Sequence, residues 1–184
     1  MSPPLRGLPP IENPAARVLV LGSMPGAASL AAGEYYAHPR NLFWPLMGEL
    51  LGFDPALPYA RRIAALKRAR IALWDVIGIC ERVGSLDARI APGSVVANDF
   101  TGFLARHRSL ALICFNGTTA AASWRRHVQA GLADRAPRCV TLPSSSPANA
   151  SVALAAKRAA WRIVLQAATG AGAGIDQASA PGGR

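Results

Sequence analysis

The stretch Arg17-Val18-Leu19-Val20-Leu21-Gly22-Ser23-Met24-Pro25-Gly26 decides the fold. Its apolar run, Val18 to Leu21, has no polar alternation and reads as a buried strand, roughly Arg17–Leu21. The glycine-punctuated turn Gly22–Gly26 ends it. A strand feeding a Gly-rich turn and then a polar, aromatic loop is a common way to build a ligand site on an α/β sheet. Three more short apolar runs lie downstream: Ile71 to about Asp75, Leu110–Phe115 and Arg138–Leu142. Helical patterns alternate with them. Phe43, Leu46, Met47, Leu50 and Leu51 repeat at helical spacing, with Pro45 tolerable only near the first turn and Gly52 and Pro55 as the stop. Tyr59–Arg70 turns Ile63 and Leu66 inward. Asp99 caps a helix through Phe100, Phe103, Leu104 and His107. Thr118 to about Val128 and about Ser151–Ala167 complete the set, while Gly78–Asn98 reads mostly as loop. The expected fold class is α/β, a three-layer α/β/α sandwich with a central four-stranded, mainly parallel sheet. Ligands bind beyond the carboxyl ends of such strands. The turns Gly22–Gly26, Asp75, Asn116-Gly117 and Ser144–Asn149 therefore converge on one rim.

Working outward, the chain has 184 residues and is 51% hydrophobic, enough for one sizeable core. The expected layout is an irregular N-terminal arm over 1–15, one domain over 16–168 and a disordered tail over 169–184, where Gly, Ala, Ser and Pro leave no apolar anchor. Lys and Arg number 20 against 10 Asp and Glu, a formal net charge of +10. That excess favours a polyanionic partner, nucleic acid first. The bland alternative is a set of solvated surface arginines, and Arg125-Arg126 and Lys157-Arg158 read that way, with phosphate contacts as the other reading. No apolar run approaches the ~20 residues that span a bilayer. No signal-peptide pattern opens the chain, so a cytoplasmic location at the nucleoid is expected, with no membrane partner. Cys80, Cys114 and Cys139 form no C-x-x-C pair, and an odd count argues against a disulfide framework. Cys114 and Cys139 read as core thiols. Nothing in the spacing of His38, His107 and His127 suggests a metal.

The chemistry is expected in Tyr35-Tyr36-Ala37-His38-Pro39-Arg40-Asn41-Leu42-Phe43-Trp44. Its aromatics can stack on a flat ligand. His38 and Asn41 can hydrogen-bond, His38 can carry a proton, and Arg40 can meet an anion bidentately. Each has a structural alternative. Asn41 could cap the following helix. Phe43 and Trp44 could be core, and for Phe43 the helical spacing favours that. His38 could only fix the loop, and Asp75 could cap or pair with an arginine. Asn116-Gly117 could be a plain strand-to-helix turn, and Ser144–Ser146 an ordinary helix entry.

Taken in order, Gly22–Gly26, Tyr36–Trp44, Ile71–Val76, Phe115-Asn116-Gly117 and Leu142–Pro147 resemble the motifs of the uracil-DNA glycosylase superfamily, and most of all its hypoxanthine-DNA (deoxyinosine) glycosylase family. The resemblance covers about residues 16–165. It implies a monomeric, monofunctional enzyme without cofactor that flips a deaminated base out of DNA and hydrolyses its N-glycosidic bond, hypoxanthine preferred and uracil close behind. It implies that Gly22, Ser23, Met24 and Pro25 form the water-and-catalysis turn. Other branches carry Asp or Asn where this chain has Met24, which can neither orient nor deprotonate a water. Asn41 is then the natural catalytic group, with His38 beside it. Tyr36 matches the ring that stacks on the flipped base, with Phe43 as its rival. Asp75 and Asn116 belong with the base-binding residues. Ser144, Ser145, Ser146 and Asn149 match the loop that grips phosphates and pushes into the duplex, although Ala148 stands where some branches carry a bulky wedge. The rival readings are a uracil-directed enzyme, a damaged-base binding protein with little turnover, and a small-nucleotide hydrolase.

Overall fold

A computed structural model describes residues 4–132 and 137–170. Two sheets organise them. The larger contains β2 (Val18–Gly22), β3 (Ile71–Asp75), β6 (Leu112–Asn116) and β7 (Arg138–Leu142) in the order β3-β2-β6-β7, with every pairing parallel. β2 and β3 are buried along their whole length, as their unbroken apolar runs require.

Helices cover both faces. Leu21 lies in register with Trp74 and Phe115. On that face Trp74 packs on Phe100 and Phe103 of α4 (Phe100–Arg106), and Phe115 packs on Trp124 of α5 (Thr118–His127). The other face carries α2 (Phe43–Leu51), α3 (Tyr59–Arg68) and α6 (Leu154–Thr169). There Phe43 meets Trp161 edge-on at 5.9 Å and Trp44 meets Tyr59 at 5.8 Å. The three-layer sandwich expected from the sequence is what these contacts build. Side chains alternate along a strand. Asp75 and Gly22, one residue beyond the Trp74–Leu21 row, therefore face α2 and α6.

Three features depart from the sequence reading. Inside the expected irregular arm, β1 (Leu5–Arg6) pairs with β4 (Ile77–Cys80), and Ile11 bridges to Leu73. β5 (Val96–Ala97) completes a small antiparallel sheet, β1-β4-β5, within the stretch read as loop. These strands have two to four residues and are interrupted at Gly78, too short for a periodic signal. A six-residue helix, α1 (Ala27–Ala32), follows the glycine turn; its Ala-rich sequence has no apolar period to announce it. Finally, Cys139 is exposed rather than core, on the outermost strand β7. Of the expected tail, Thr169 still belongs to α6 and Gly170 caps it with φ 80°, while 171–184 lie outside the described residues.

Candidate active site

The carboxyl ends of β2 and β3 meet at Gly22 and Asp75, which are paired in register. A Cβ at Gly22 would collide with Asp75 Oδ1 and lie 3.1 Å from the Tyr36 hydroxyl. Glycine is therefore required here by close approach, and three residues named from the sequence converge on one point.

Asp75 is only 3% exposed, and its Oδ2 is buried with no hydrogen-bond partner among the described residues. Among the described residues it neither caps a helix nor forms an ion pair with an arginine. Burial pushes its carboxyl up to about 8; the nearby Asp87 adds to the rise and Arg82 opposes it. The Tyr36 hydroxyl is likewise buried and makes no full hydrogen bond among the described residues; burial, with Asp75 next, raises its pKa, while the amide of nearby Asn116 opposes the rise. Tyr36 adopts φ 55°, a left-handed conformation that costs a tyrosine energy and points its ring across the site. That ring stacks on Phe43 at 4.1 Å. Buried polar atoms without partners are rare in folded proteins, and two on one spot mark a place for a polar ligand.

Asn41 stands at the mouth of α2. Its Oδ1 accepts from the Phe43 amide at 2.9 Å, so the helix-entry role is real and leaves the amide Nδ2 hydrogens free. His38 Nδ1 accepts from the Arg40 amide at 3.2 Å, and the His38 carbonyl accepts from the Asn41 amide at 2.8 Å. The loop is thus wound on its own polar groups. Arg40 is exposed.

Several expected contacts fall elsewhere. Phe43 is fully buried between Tyr36, Trp44 and Trp161, so it is core and not a ring open to a base. The side chain of Met24 is buried with Ile77 and Cys80 beneath the turn, leaving only its backbone to the site. Asn116 is occupied: its Nδ2 donates to Ser145 Oγ and its Oδ1 accepts from the Ser145 amide, both at 2.8 Å. Ser145 is fully buried, so it anchors the serine loop instead of meeting phosphate, and its carbonyl accepts from the Leu42 amide at 3.0 Å. That bond ties the serine loop to the aromatic loop. Ser144 and Ser146 remain half-buried at the rim. Ser146 caps the short turn Pro147–Asn149. Asn149 donates to the Ser144 carbonyl at 3.3 Å.

Two groups escaped the sequence reading. Lys157 is 2% exposed, not a solvated charge, and its Nζ donates to the Asn149 carbonyl at 2.8 Å, bracing the serine loop from α6. The segment after β4 closes over the glycine turn. Ser23 donates to Asp87, Arg82 donates to the Pro25 carbonyl at 2.6 Å, and the Ala27 amide donates to Ser85 Oγ at 3.0 Å. Ser23 and Asp87 are 64 residues apart, and no local pattern joins them. A cavity of about 340 Å³, lined by Arg6, Trp74, Asn98 and Asp99 among others, lies along the small sheet, away from Tyr36 and Asn41. Neither Asp75 nor Tyr36, which carry the buried Oδ2 and hydroxyl, lines that cavity.

The Uracil DNA glycosylase superfamily matches residues 9–166 of this sequence. The chain belongs to that superfamily. As such it is a DNA glycosylase, a hydrolase of N-glycosyl bonds acting on DNA. The glycosylase is similar to a protein named hypoxanthine DNA glycosylase from Methanosarcina acetivorans, 37% identical over 145 residues, which covers 78% of this chain and 87% of the relative. A protein of the same name from Methanosarcina barkeri is 38% identical over 113 residues, 61% of this chain and 70% of the relative. Among solved structures, the solution NMR structure of a candidate uracil DNA glycosylase from Methanosarcina acetivorans superposes on the glycosylase with a TM-score of 0.75. It is 32% identical and covers 90% of this chain and 99% of its own.

Proposed function

We propose that this glycosylase excises hypoxanthine from DNA, with the flipped base held between Tyr36, Asp75 and Asn41. The observation that carries this reading is the pair of buried, unpartnered polar groups above Gly22, Asp75 Oδ2 and the Tyr36 hydroxyl. A carboxyl held near 8 is protonated at neutral pH and brings one O–H and one C=O. Hypoxanthine presents N1–H beside O6. The acid hydroxyl donates to O6 while its carbonyl accepts from N1–H, so one side chain reads the whole edge. Tyr36 offers the ring face that Phe43 does not cover, and stacking is worth ~1–3 kcal/mol per base. The names of the two relatives support the same base.

With its oxygen committed to the Phe43 amide, Asn41 donates from Nδ2 to a base oxygen or holds a water by the water's oxygen. It takes no proton. The C1′–N9 bond therefore breaks first, its electron pair leaving with N9, and water captures the cationic sugar and then loses a proton. Charge stabilisation, not activation of the nucleophile, carries the rate. His38 offers Nε2 as a second donor from the same loop, and Ser144, Ser146 and Asn149 meet the phosphates. The enzyme acts as a monomer at the nucleoid, and gel filtration with and without DNA checks the first point.

Uracil is the second reading, because its N3–H and O4 repeat the same edge. Duplex oligonucleotides carrying one inosine, uracil or xanthine, treated with the protein and then alkali, decide. Strand scission strongest at inosine is expected; retention of the duplex without scission under excess protein sinks the enzyme reading, and strongest scission at uracil moves the preference.

A further inference from the structure

Extruding a base leaves a gap in the duplex that something must fill, or the stack closes again. The serine loop offers only the methyl group of exposed Ala148 at its tip. A separate loop, hydrogen-bonded to the glycine turn, provides better material. Among the described residues, five large apolar side chains are exposed: Leu57, Val83, Leu86, Val96 and Leu154. Two of these, Val83 at 72% and Leu86 at 57%, occupy one short loop after β4, and neither joins a core cluster. Gly84, at φ 74°, turns the chain between them.

That loop is not loosely attached. Arg82, only 6% exposed, donates from Nε to the Gly84 carbonyl at 2.9 Å and from its other end to the Pro25 carbonyl at 2.6 Å. Ser85 Oγ accepts from the Ala27 amide at 3.0 Å, and Asp87 accepts from Ser23. Two bonds therefore fix the loop's base to the glycine turn and a third fixes it to the start of α1, while its apolar tip stands in solvent. A buried charge is costly unless it is paired and hydrogen-bonded; Arg82 and Asp87 lie 3.9 Å apart, and each also bonds to the glycine turn. What they hold is a pair of apolar side chains at the edge of a site that works on DNA, in a chain of net charge +10.

We propose that the loop Arg82–Asp87 is a duplex wedge: Leu86, with Val83 beside it, enters the base stack at the position the flipped nucleotide vacates, and Arg82 and Asp87 hold the loop in register with the glycine turn. The occupant of this apolar tip is the base stack of the substrate. The proposal rests on the DNA glycosylase assignment and not on which base is removed. Apolar side chains inserted between base steps are a general means of unstacking DNA.

The test compares the parent with the Val83→Ala Leu86→Ala double variant. Both side chains are exposed and outside the core, so the melting temperature should not move. One substrate carries inosine in a fully paired duplex; the other carries it in an unpaired bubble, where no unstacking is needed. The wedge predicts a single-turnover rate at least tenfold lower on the duplex and within about twofold of the parent on the bubble. 2-Aminopurine placed 3′ to the lesion reads unstacking whether or not the bond is cut, and its fluorescence rise should be lost in the double variant. An unchanged fluorescence rise, or equal loss of rate on duplex and bubble, overturns the wedge while leaving the glycosylase assignment standing. Asp87→Asn keeps the size of the side chain but weakens the tie to Ser23; it should lower the duplex rate more than the bubble rate, and equal effects on both place Asp87 outside the wedge.

Discussion

At the scale of single residues, Asp75 makes two predictions that pull in opposite directions. Its folded pKa of about 8 lies far above its ordinary value of 3.8. A raised carboxyl favours the folded state fully only below its unfolded pKa, and that contribution is lost as pH rises from about 4 through about 8. Asp75→Asn, which cannot ionise, should therefore raise the melting temperature at pH 7.5, with the gain vanishing below pH 4; a constant gain across that window would mean that ionisation of Asp75 is not its source. In the proposed pairing it is the same neutral acid that meets the base, so excision should decline as pH rises through 8. Asp75→Asn should flatten that decline, and Asp75→Ala should weaken base recognition by roughly 1–3 kcal/mol. Asn41→Ala should slow the single-turnover rate about 10²–10³-fold, the usual loss for a preorganised donor, and destabilise the fold by about 1 kcal/mol through the lost bond to the Phe43 amide. A rate within a few-fold of the parent would leave Asn41 as a helix entry alone. The sequence pointed to Asp75 because it ends a strand on the rim, to Asn41 because it precedes a helix, and to Tyr36 through its aromatic loop and the family resemblance. Helical spacing already favoured core for Phe43, and its full burial agrees; what the sequence could not show is the left-handed turn that leaves the Tyr36 ring only half-buried.

At the scale of elements, β2, β3 and β6 were legible because burial on both faces removes most polar residues from their runs, while the exposed edge strand β7 was legible from Cys139, Val140 and Leu142 despite Arg138 and Thr141. The small sheet was not, because its pairings are two to four residues long and their partners are distant in sequence. The serine loop shows the same limit. Its composition announces a turn, but its support comes from Asn116, Leu42 and Lys157, none of which the turn's own sequence specifies. Lys157→Met keeps the length and apolar stem of the side chain while leaving the Asn149 carbonyl without its donor. A loss of about 1–3 kcal/mol is expected if that carbonyl stays buried, together with weaker binding to abasic-site DNA and little change in chemistry once the base is bound. A kcat loss with KM unchanged would contradict a bracing role. In α6, Trp161→Ala removes a fully buried ring packed on Phe43 and should cost about 3–5 kcal/mol.

At the scale of the whole molecule, the net charge of +10 and exposed arginines such as Arg40, Arg125 and Arg126 predict salt-sensitive DNA binding. Nonspecific affinity should fall with salt at a slope of about 0.9 per phosphate neutralised. Titration of a lesion-free duplex between low and moderate salt reads it, and a flat response removes the arginines from phosphate contact. The global layout followed from the order of strands and helices and from the rule that ligands gather at strand carboxyl ends. The closure of the Arg82–Asp87 loop over the glycine turn did not, because a contact between residues 64 apart is set by the finished fold.

The solitary carboxyl of Asp75 carries a consequence for how damage is told from healthy DNA. The N–H and C=O edge that it suits is not peculiar to hypoxanthine or uracil; guanine and thymine display it too, in vast numerical excess. Asp75 alone therefore cannot be the sentry. Deaminated bases sit in weaker pairs and leave the helix more readily, so much of the sorting takes place before the base reaches Asp75, in the competition between opening and reclosing at each step along the DNA. Fidelity in such an enzyme is a property of the search as well as of the pocket, and a variant that opened healthy pairs more easily would turn a repair enzyme into a mutagen with its active site intact.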